Sequence, residues 1–353
     1  MTNAHKDALF VLIKSLSKSE KRQFKLYVGR LGVNTDAKFL ALFNLLDKMR
    51  TYDERQILDS GIVKKAQLSN LKAHLYKQIL VSLRLNPVNQ NVRIQIREQL
   101  DFATILYQKG LYKQSLKILD KAKSFAIENE EKNVAYEIVE LEKVIETQYI
   151  TRSIPDRADE LALQAKELSE QNVMTSKLSN LSLQLYSMML KVGYVRSDED
   201  LNKVKSYFEK HLPVYDIDTL GFREKLWLYK AHLWYSLLIQ DFLSAYKYAS
   251  KWVDLFYDNE HMIALNPVFF LKGNHYLLEA LFFVKYASQF KETLERLEAQ
   301  VEHPDFPQND NIASLAFLYI NTNKLNLHFL EGTFEKGLYL VNIIEYGIKK
   351  HRQ

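Results

Sequence analysis

Residues 105–126 read ILYQKGLYKQSLKILDKAKSFA, and a glycine followed by an aromatic residue interrupts an otherwise helical pattern. Gly110 permits the left-handed conformation that ends many helices, and Tyr112 then begins a second helix. Ser115 and Ala122 are small, so the two helices are expected to approach each other closely. The stretch therefore predicts the hinge of a helical hairpin rather than a catalytic turn.

The composition also favours an all-helical protein. The chain has 353 residues, 47% of them apolar, but only 10 glycines and 6 prolines. Strands joined by tight turns would need more of both residues. The absence of cysteine excludes disulfides, thiolate chemistry and thiolate-rich zinc sites, and it fits a reducing compartment.

The sequence contains no stretch that predicts a membrane segment. The apolar run near the N-terminus, Ala8 to Ile13, is too short for a signal peptide or a membrane span. A later apolar stretch, EALFFVKYA at 279–287, is interrupted by charge. We therefore expect a soluble, cytoplasmic protein that does not contact membranes.

Charge is distributed unevenly along the chain. Residues 1–90 hold 16 Lys and Arg against 7 Asp and Glu, whereas residues 91–353 hold 32 against 36. The segment NPVNQN at 86–91 disfavours helix continuation between these parts. The sequence thus predicts a basic helical domain at 1–90, with four or five helices, and a helical-repeat domain at 91–353. Within the first domain, Ser17 and Glu20 have the spacing of a capping box.

Helix breaks recur after residue 94 at intervals of roughly 40–48 residues. Each break should join two helices of roughly 14–20 residues, so about six hairpins fit the region. The breaks are Lys109-Gly110, Ser153-Ile154-Pro155, Val192-Gly193-Tyr194, Gln240-Asp241-Phe242, Ser288-Gln289-Phe290 and Gly332-Thr333-Phe334.

The order Gly110, Tyr112, Ser115, Leu119, Ala122 resembles the tetratricopeptide repeat. The period is longer than the usual 34 residues, and Gln99 replaces a large aromatic residue early in the first helix of the unit. The resemblance implies an α-α superhelix of tetratricopeptide-like hairpins. The opening segment KSLSKSEKRQFKLYV, residues 14–28, is similar to the start of a group of uncharacterised bacterial helical-repeat proteins.

No pattern in the chain predicts catalysis, a metal site or a cofactor. Phosphate-binding loops, HExxH, GxSxG and the kinase signatures are all missing. Asp258, Glu260 and His261 lie close enough in sequence to ligate a metal, and His303 with Asp305 forms a second such group. Alternatively, both groups lie in solvated loops between repeats, and we favour this interpretation.

Aromatic residues are concentrated in 222–290, which contains all three tryptophans among 18 aromatics. Helical spacing accounts for many of them as core. The repeat resemblance alternatively places several side chains on a concave groove, where an exposed aromatic strip would bind a protein or peptide segment. These groove candidates are Trp227, Lys230, Trp234, His275, Phe282, Tyr319 and Asn326. Trp234 stands where the family's lysine–asparagine clamp for terminal carboxylates would need asparagine, so chaperone-tail binding is not predicted.

Basic residues in the first domain form a second candidate surface. Lys18, Arg22 and Lys25 share one helix face, and Lys64, Lys65 and Lys72 add charge in a later helix. Such a surface could contact nucleic-acid phosphates, an acidic protein or only water. No convincing helix-turn-helix supports the first alternative.

The sequence therefore predicts a non-enzymatic interaction scaffold that binds a protein or peptide segment in its groove. The alternative is a regulator whose first domain binds nucleic acid while the repeats sense a peptide. Only IKKHRQ follows Gly347, with no distinct polar capping helix. We thus expect the last hairpin to keep an apolar face uncovered and to form a homodimer or pack on a partner.

Overall fold

The computed structural model describes residues 7–30, 36–86, 91–148 and 156–351. All regular structure in these ranges is helical, which confirms the prediction of an all-helical protein. Contacts divide the chain into two compact units, residues 1–95 and 96–352. No helix within the described ranges is both long enough and apolar enough to cross a membrane.

The described part of the first unit contains five complete helices: α1 (Ala8–Ser15), α2 (Lys18–Gly29), α3 (Asp36–Lys48), α4 (Glu54–Asp59) and α5 (Lys65–Arg84). The rings of Phe24 on α2 and Phe43 on α3 are buried and lie 4.7 Å apart. The predicted capping box at the start of α2 is confirmed. The Ser17 hydroxyl accepts from the backbone N–H of Glu20, and the Glu20 carboxylate accepts from that of Ser17.

The remaining helices are α6 (Val92–Gln108), α7 (Tyr112–Glu128), α8 (Lys132–Gln148), α9 (Arg157–Val192), α10 (Asp198–His211), α11 (Phe222–Leu238), α12 (Phe242–Tyr257), α13 (His261–Leu265), α14 (Pro267–Phe283), α15 (Ala287–Glu302), α16 (Asp310–Glu331) and α17 (Phe334–His351). Helices close in sequence pack together: α7 on α8, α8 on α9, and α11 on both α9 and α12. Further along, α14 packs on α12, α15 and α16, and α17 packs on α16. Neighbour-on-neighbour packing of this kind is typical of repeat proteins.

Five interhelical turns share one backbone geometry. In each, one residue has a φ between 58° and 74°, and the next N–H bonds to the carbonyl five residues earlier at 2.8–3.1 Å. This is the Schellman arrangement, which satisfies carbonyls left over at the end of a helix. The five residues with positive φ are Gly110, Glu130, Gln240, Lys285 and Gly332.

The position five residues after each positive φ is buried in all five turns. Small residues occupy it in four cases: Ser115, Ala135, Ala245 and Gly337. Phe290 occupies it in the fifth. The hydroxyl of Ser115 donates to the carbonyl of Ala103 at 2.8 Å, so this small residue lets α7 lie close to α6.

The predicted helix breaks agree with the structure at 109–110, 192–194, 240–242 and 332–334. The break at 153–155 lies outside the described residues. The break at 288–290 is wrong, because these residues belong to α15 and the chain turns at Lys285. A positive φ at lysine leaves no glycine to mark the turn, and Phe290 resembles the aromatic residue that follows other turns.

Residues 157–192 form one helix of 36 residues, α9, where the repeat pattern predicted two shorter helices. That prediction is wrong. The segment contains neither glycine nor proline, so nothing in it interrupts the helix. The left-handed Gly193, with φ 76°, then ends it.

Replacing Lys285 by glycine is expected to stabilise the second unit by about 1 kcal/mol, since glycine adopts a positive φ without steric cost. Lys285 is exposed, so few side-chain contacts are lost. Urea unfolding followed by tryptophan fluorescence reports on this unit alone, because all three tryptophans lie in it. Lys285→Ala retains Cβ and should give no gain; a gain as large as that of glycine would contradict the explanation.

Candidate functional site

A cavity of about 370 Å³ lies among α9, α11 and α14 of the second unit. Its size is at the lower end of the range for ligand sites in proteins. Its walls combine aromatic, hydroxyl-bearing and cationic side chains: Ser179, Asn180, Ser182, Leu183, Tyr186, Trp227, Lys230, Trp234, Lys272 and Tyr276.

One face of α11 brings three of the predicted groove residues into this cavity. Trp227, Lys230 and Trp234 are spaced by three and four residues, which places them on the same side of a helix. On the opposite side of α11, Leu228 and Ser236 are buried. The helix is therefore covered on nearly all sides except where it borders the cavity.

Trp234 is not the exposed anchor that the sequence predicted. Only 6% of its surface is accessible, because its ring packs against Tyr186 of α9 at 4.8 Å and Tyr276 of α14 at 5.2 Å. It forms the inner wall of the cavity.

Lys230 carries the most perturbed cationic group of the site. Burial, followed by the charge of Lys272, lowers its pKa to about 8. Its ammonium lies over the ring of Trp227, 4.5 Å from the centroid, and 5.6 Å from that of Phe269. Within the described residues, neither lysine has a carboxylate at ion-pair distance. Two ammonium groups thus border the cavity without a counterion among the described residues.

Two residues of the cavity wall also carry buried donors without a partner. The indole N–H of Trp234 and the hydroxyl of Ser182 are buried and have no hydrogen bond among the described residues. Buried polar groups in proteins are nearly always hydrogen-bonded, so each unpaired group needs an explanation. Neither atom is accessible to solvent, so both lie behind the cavity wall and not on its surface.

The other predicted groove residues do not line this cavity. His275 stacks on Tyr319 with ring centroids 4.5 Å apart, and its Nδ1 lies 3.1 Å from the amide nitrogen of Asn323. Burial lowers the pKa of His275 to about 4, so the ring is neutral at pH 7. Phe282 packs edge-on against Phe283, and Asn326 is half-buried on α16.

The misplaced turn explains which site residues the sequence missed. Three cavity residues of α11, Trp227, Lys230 and Trp234, precede the turn at Gln240. The residues at the same distances before the turn at Lys285 are Lys272, His275 and Glu279. The predicted break at 288–290 shifted this register by three residues and replaced Lys272 by His275. With the turn at Lys285 the same count reaches Lys272, but no residue type signals a turn at that position. Tyr186 and Ser182 belong to α9. Because α9 is one long helix where the pattern predicted two, the repeat pattern does not give their positions correctly.

In the first unit, five of the six predicted anion contacts are exposed: Lys18, Arg22 and Lys25 on α2, with Lys64 and Lys65 at the start of α5. Lys72 is the exception and corrects the prediction. Its ammonium pairs with Asp7 and donates to the hydroxyl of Tyr52 at 2.9 Å. Although burial alone would lower the pKa of Lys72, these bonds raise it, so this charge is already neutralised within the unit.

The described residues contain no cluster of three or more His, Asp or Glu side chains able to hold a metal ion. Asp258, Glu260 and His261 lie at the turn between α12 and α13. The ring of His303 lies 3.8 Å from the carboxylate of Asp305 in an exposed loop.

Comparisons of the chain with protein-family models, with curated proteins and with solved structures give no match.

Proposed function

We propose that the protein is a non-enzymatic interaction scaffold of the cytoplasm, whose second unit is a tetratricopeptide-like superhelix that binds a segment of a partner protein. The observation that carries this proposal is the cavity beside Trp234, where two ammonium groups without a counterion among the described residues meet aromatic walls. The five matching turns support the repeat architecture. Tyrosine and tryptophan are also the residues that most often anchor binding partners.

A regulator that binds nucleic acid through its first unit is the second candidate. The exposed Lys18, Arg22 and Lys25 on α2 favour it, because they present positive charge on one helix. Binding to phosphates would weaken steeply as salt is raised.

A capture experiment from a cell extract, with and without nuclease, tests the two functions. The full chain is compared with Trp227→Ala, which removes a half-exposed cavity wall, and with Lys18→Ala/Arg22→Ala/Lys25→Ala. The scaffold proposal expects a defined protein that survives nuclease, is lost with Trp227→Ala and is retained by the triple variant. Nucleic acid that is lost only in the triple variant would overturn it in favour of the regulator.

We also propose that α17 forms a homodimer contact. Its apolar side chains Leu338, Tyr339 and Tyr346 are 72%, 70% and 76% exposed, and exposed apolar patches of this kind mark interaction sites. Residues 339 and 346 are two helical turns apart, so an identical helix could pack on them about a two-fold axis. Sedimentation at micromolar concentration is expected to show a dimer that Leu338→Glu/Tyr346→Glu dissociates. A wild-type protein that sediments as a monomer throughout would contradict this.

A further inference from the structure

The charge balance of the cavity points to an anionic ligand group. Lys230 and Lys272 both line it, whereas no acidic side chain does. Glu279 lies on α14 but does not line the cavity, and burial raises its pKa. An anion would relieve the repulsion between the two ammonium groups and would compensate the desolvation of Lys230.

The donors available to that anion favour a carboxylate over a phosphate. Phosphate sites commonly use backbone N–H groups at a helix N-terminus or the fork of an arginine. Here the lining residues come from the interiors of α9, α11 and α14, where backbone N–H groups are used within the helices. The donors of the lining side chains are then the ammonium groups of Lys230 and Lys272, the amide of Asn180 and the hydroxyls of Tyr186 and Tyr276. A carboxylate, with two oxygens and about four acceptor positions, can accept from several of these donors at once.

The rest of the wall is suited to an apolar body attached to the carboxylate. Tyr186 and Tyr276 flank Trp234, while Trp227 lies beneath the ammonium of Lys230. Aromatic faces and edges of this kind pack well against another flat ring. The cavity volume of about 370 Å³ admits one such group but no folded element.

We propose that this cavity binds a carboxylate carried next to an aromatic group. The inference rests on the proposed function in taking the cavity as a binding site, and it specifies the chemistry that the site recognises. Two sources share this chemistry: an acidic residue beside an aromatic residue in a protein segment, and a free aromatic carboxylic acid.

Calorimetric titration of the full chain at pH 7 with matched probes tests the proposal. The free probe is 3-phenylpropanoate, with its primary amide and phenyl phosphate as comparisons. The peptide probe is acetyl-Ala-Phe-Asp-Ala-amide, in which the aspartate is the only carboxylate, compared with its asparagine analogue. We expect at least one carboxylate probe to bind about tenfold or more tightly than its amide, since charge-assisted hydrogen bonds are roughly twice as strong as neutral ones.

Variants assign the binding to the cavity. Lys230→Met retains most of the side-chain volume and is expected to weaken carboxylate binding about tenfold or more, as loss of a charged hydrogen-bond partner does. Lys272→Met removes the second ammonium group of the wall and should weaken binding as well. Lys251→Met is the control, because Lys251 also lies over aromatic rings, those of Tyr229 and Tyr248, but outside the cavity.

The outcomes separate the inference from the proposed function. Binding of the free acid but not of the peptide supports the carboxylate site and contradicts a protein-segment partner. Equal binding of the aspartate and asparagine peptides, lost with Trp227→Ala, overturns the carboxylate inference while the scaffold survives. Tighter binding of phenyl phosphate than of phenylpropanoate, or full binding by Lys230→Met, also overturns the inference.

Discussion

Lys230→Met is expected to stabilise the second unit by about 2 kcal/mol at pH 7, although it removes a side chain proposed to bind the ligand. Burial and the neighbouring Lys272 lower the pKa of Lys230 from 10.5 to about 8, so the folded state holds this charge less favourably than the unfolded chain does. Partial solvation and the contact with the Trp227 ring reduce the gain below the value that the pKa difference alone implies. Methionine fills the same space without the charge.

The gain should also depend on pH in a defined direction. Below pH 8 the lysine is charged in both states and its cost is fully present. Between pH 8 and 10.5 the folded protein has released the proton while the unfolded chain still binds it, so wild-type stability rises relative to the variant. The advantage of Lys230→Met therefore shrinks across this window. The other titratable groups that line the cavity are Lys272, Tyr186 and Tyr276, and all three are kept in both proteins.

Urea unfolding at several pH values, followed by tryptophan fluorescence, measures this difference. Lys251→Met serves again as the control, because this exposed lysine also makes cation–aromatic contacts but shows no such burial. Its effect should stay within about 0.5 kcal/mol. A Lys230→Met variant that is less stable than the wild type, or a gain that is constant with pH, would contradict the assignment of a desolvated charge.

Glu142→Gln is expected to destabilise the second unit by about 3–5 kcal/mol, the usual cost of removing one partner of a buried ion pair. The Glu142 carboxylate on α8 is fully buried and accepts from the ammonium of Lys123 on α7 at 2.7 Å. Arg157, at the start of α9, donates to its other oxygen at 3.2 Å. The substitution would leave the Lys123 ammonium, itself 6% exposed, without a countercharge.

Desolvation opposes the charge that Glu142 carries in this ion pair. Burial raises this pKa, and its two cationic partners lower it by less. Replacing both partners, as Lys123→Met/Glu142→Leu, is therefore expected to recover most of the stability that Glu142→Gln loses.

Circular dichroism in urea and hydrogen exchange of α7 and α8 measure these effects. Glu140→Gln is the matched control, since Glu140 pairs with Lys143 on the same helix at 2.8 Å but is 44% exposed. That change should cost about 1 kcal/mol or less. A similar loss for Glu140→Gln and Glu142→Gln would show that burial of the pair is not what matters.

Local signals in the sequence predicted most helix ends correctly, because glycine and capping residues act over a few positions. Gly110, Gly193 and Gly332 each mark a turn that the structure contains. The turn at Lys285 was missed because its left-handed geometry depends on the packing of α14 and α15, which no residue type signals. Likewise, α9 continues through the position where the repeat pattern predicted a break, because it contains neither glycine nor proline.

The candidate site was predictable only along one helix. The spacing of Trp227, Lys230 and Trp234 placed them together, and they do share the cavity wall. Whether Trp234 is exposed depends on Tyr186 and Tyr276, which come from helices far apart in sequence. Pairing between distant elements is a tertiary property, so the sequence alone identified the face of α11 but neither its partners nor the uncompensated charge of Lys272.

Proton uptake on binding tests the central claim, that the cavity holds an anion against Lys230, most directly. At pH 8 this lysine is about half protonated, and a bound carboxylate would raise its pKa again. Calorimetry of 3-phenylpropanoate and of the aspartate peptide, in buffers of different ionisation enthalpy, measures the protons taken up per ligand. We predict uptake approaching about half a proton with the wild type and none with Lys230→Met. Binding of these probes with no proton uptake, or no binding of either probe, would contradict the account.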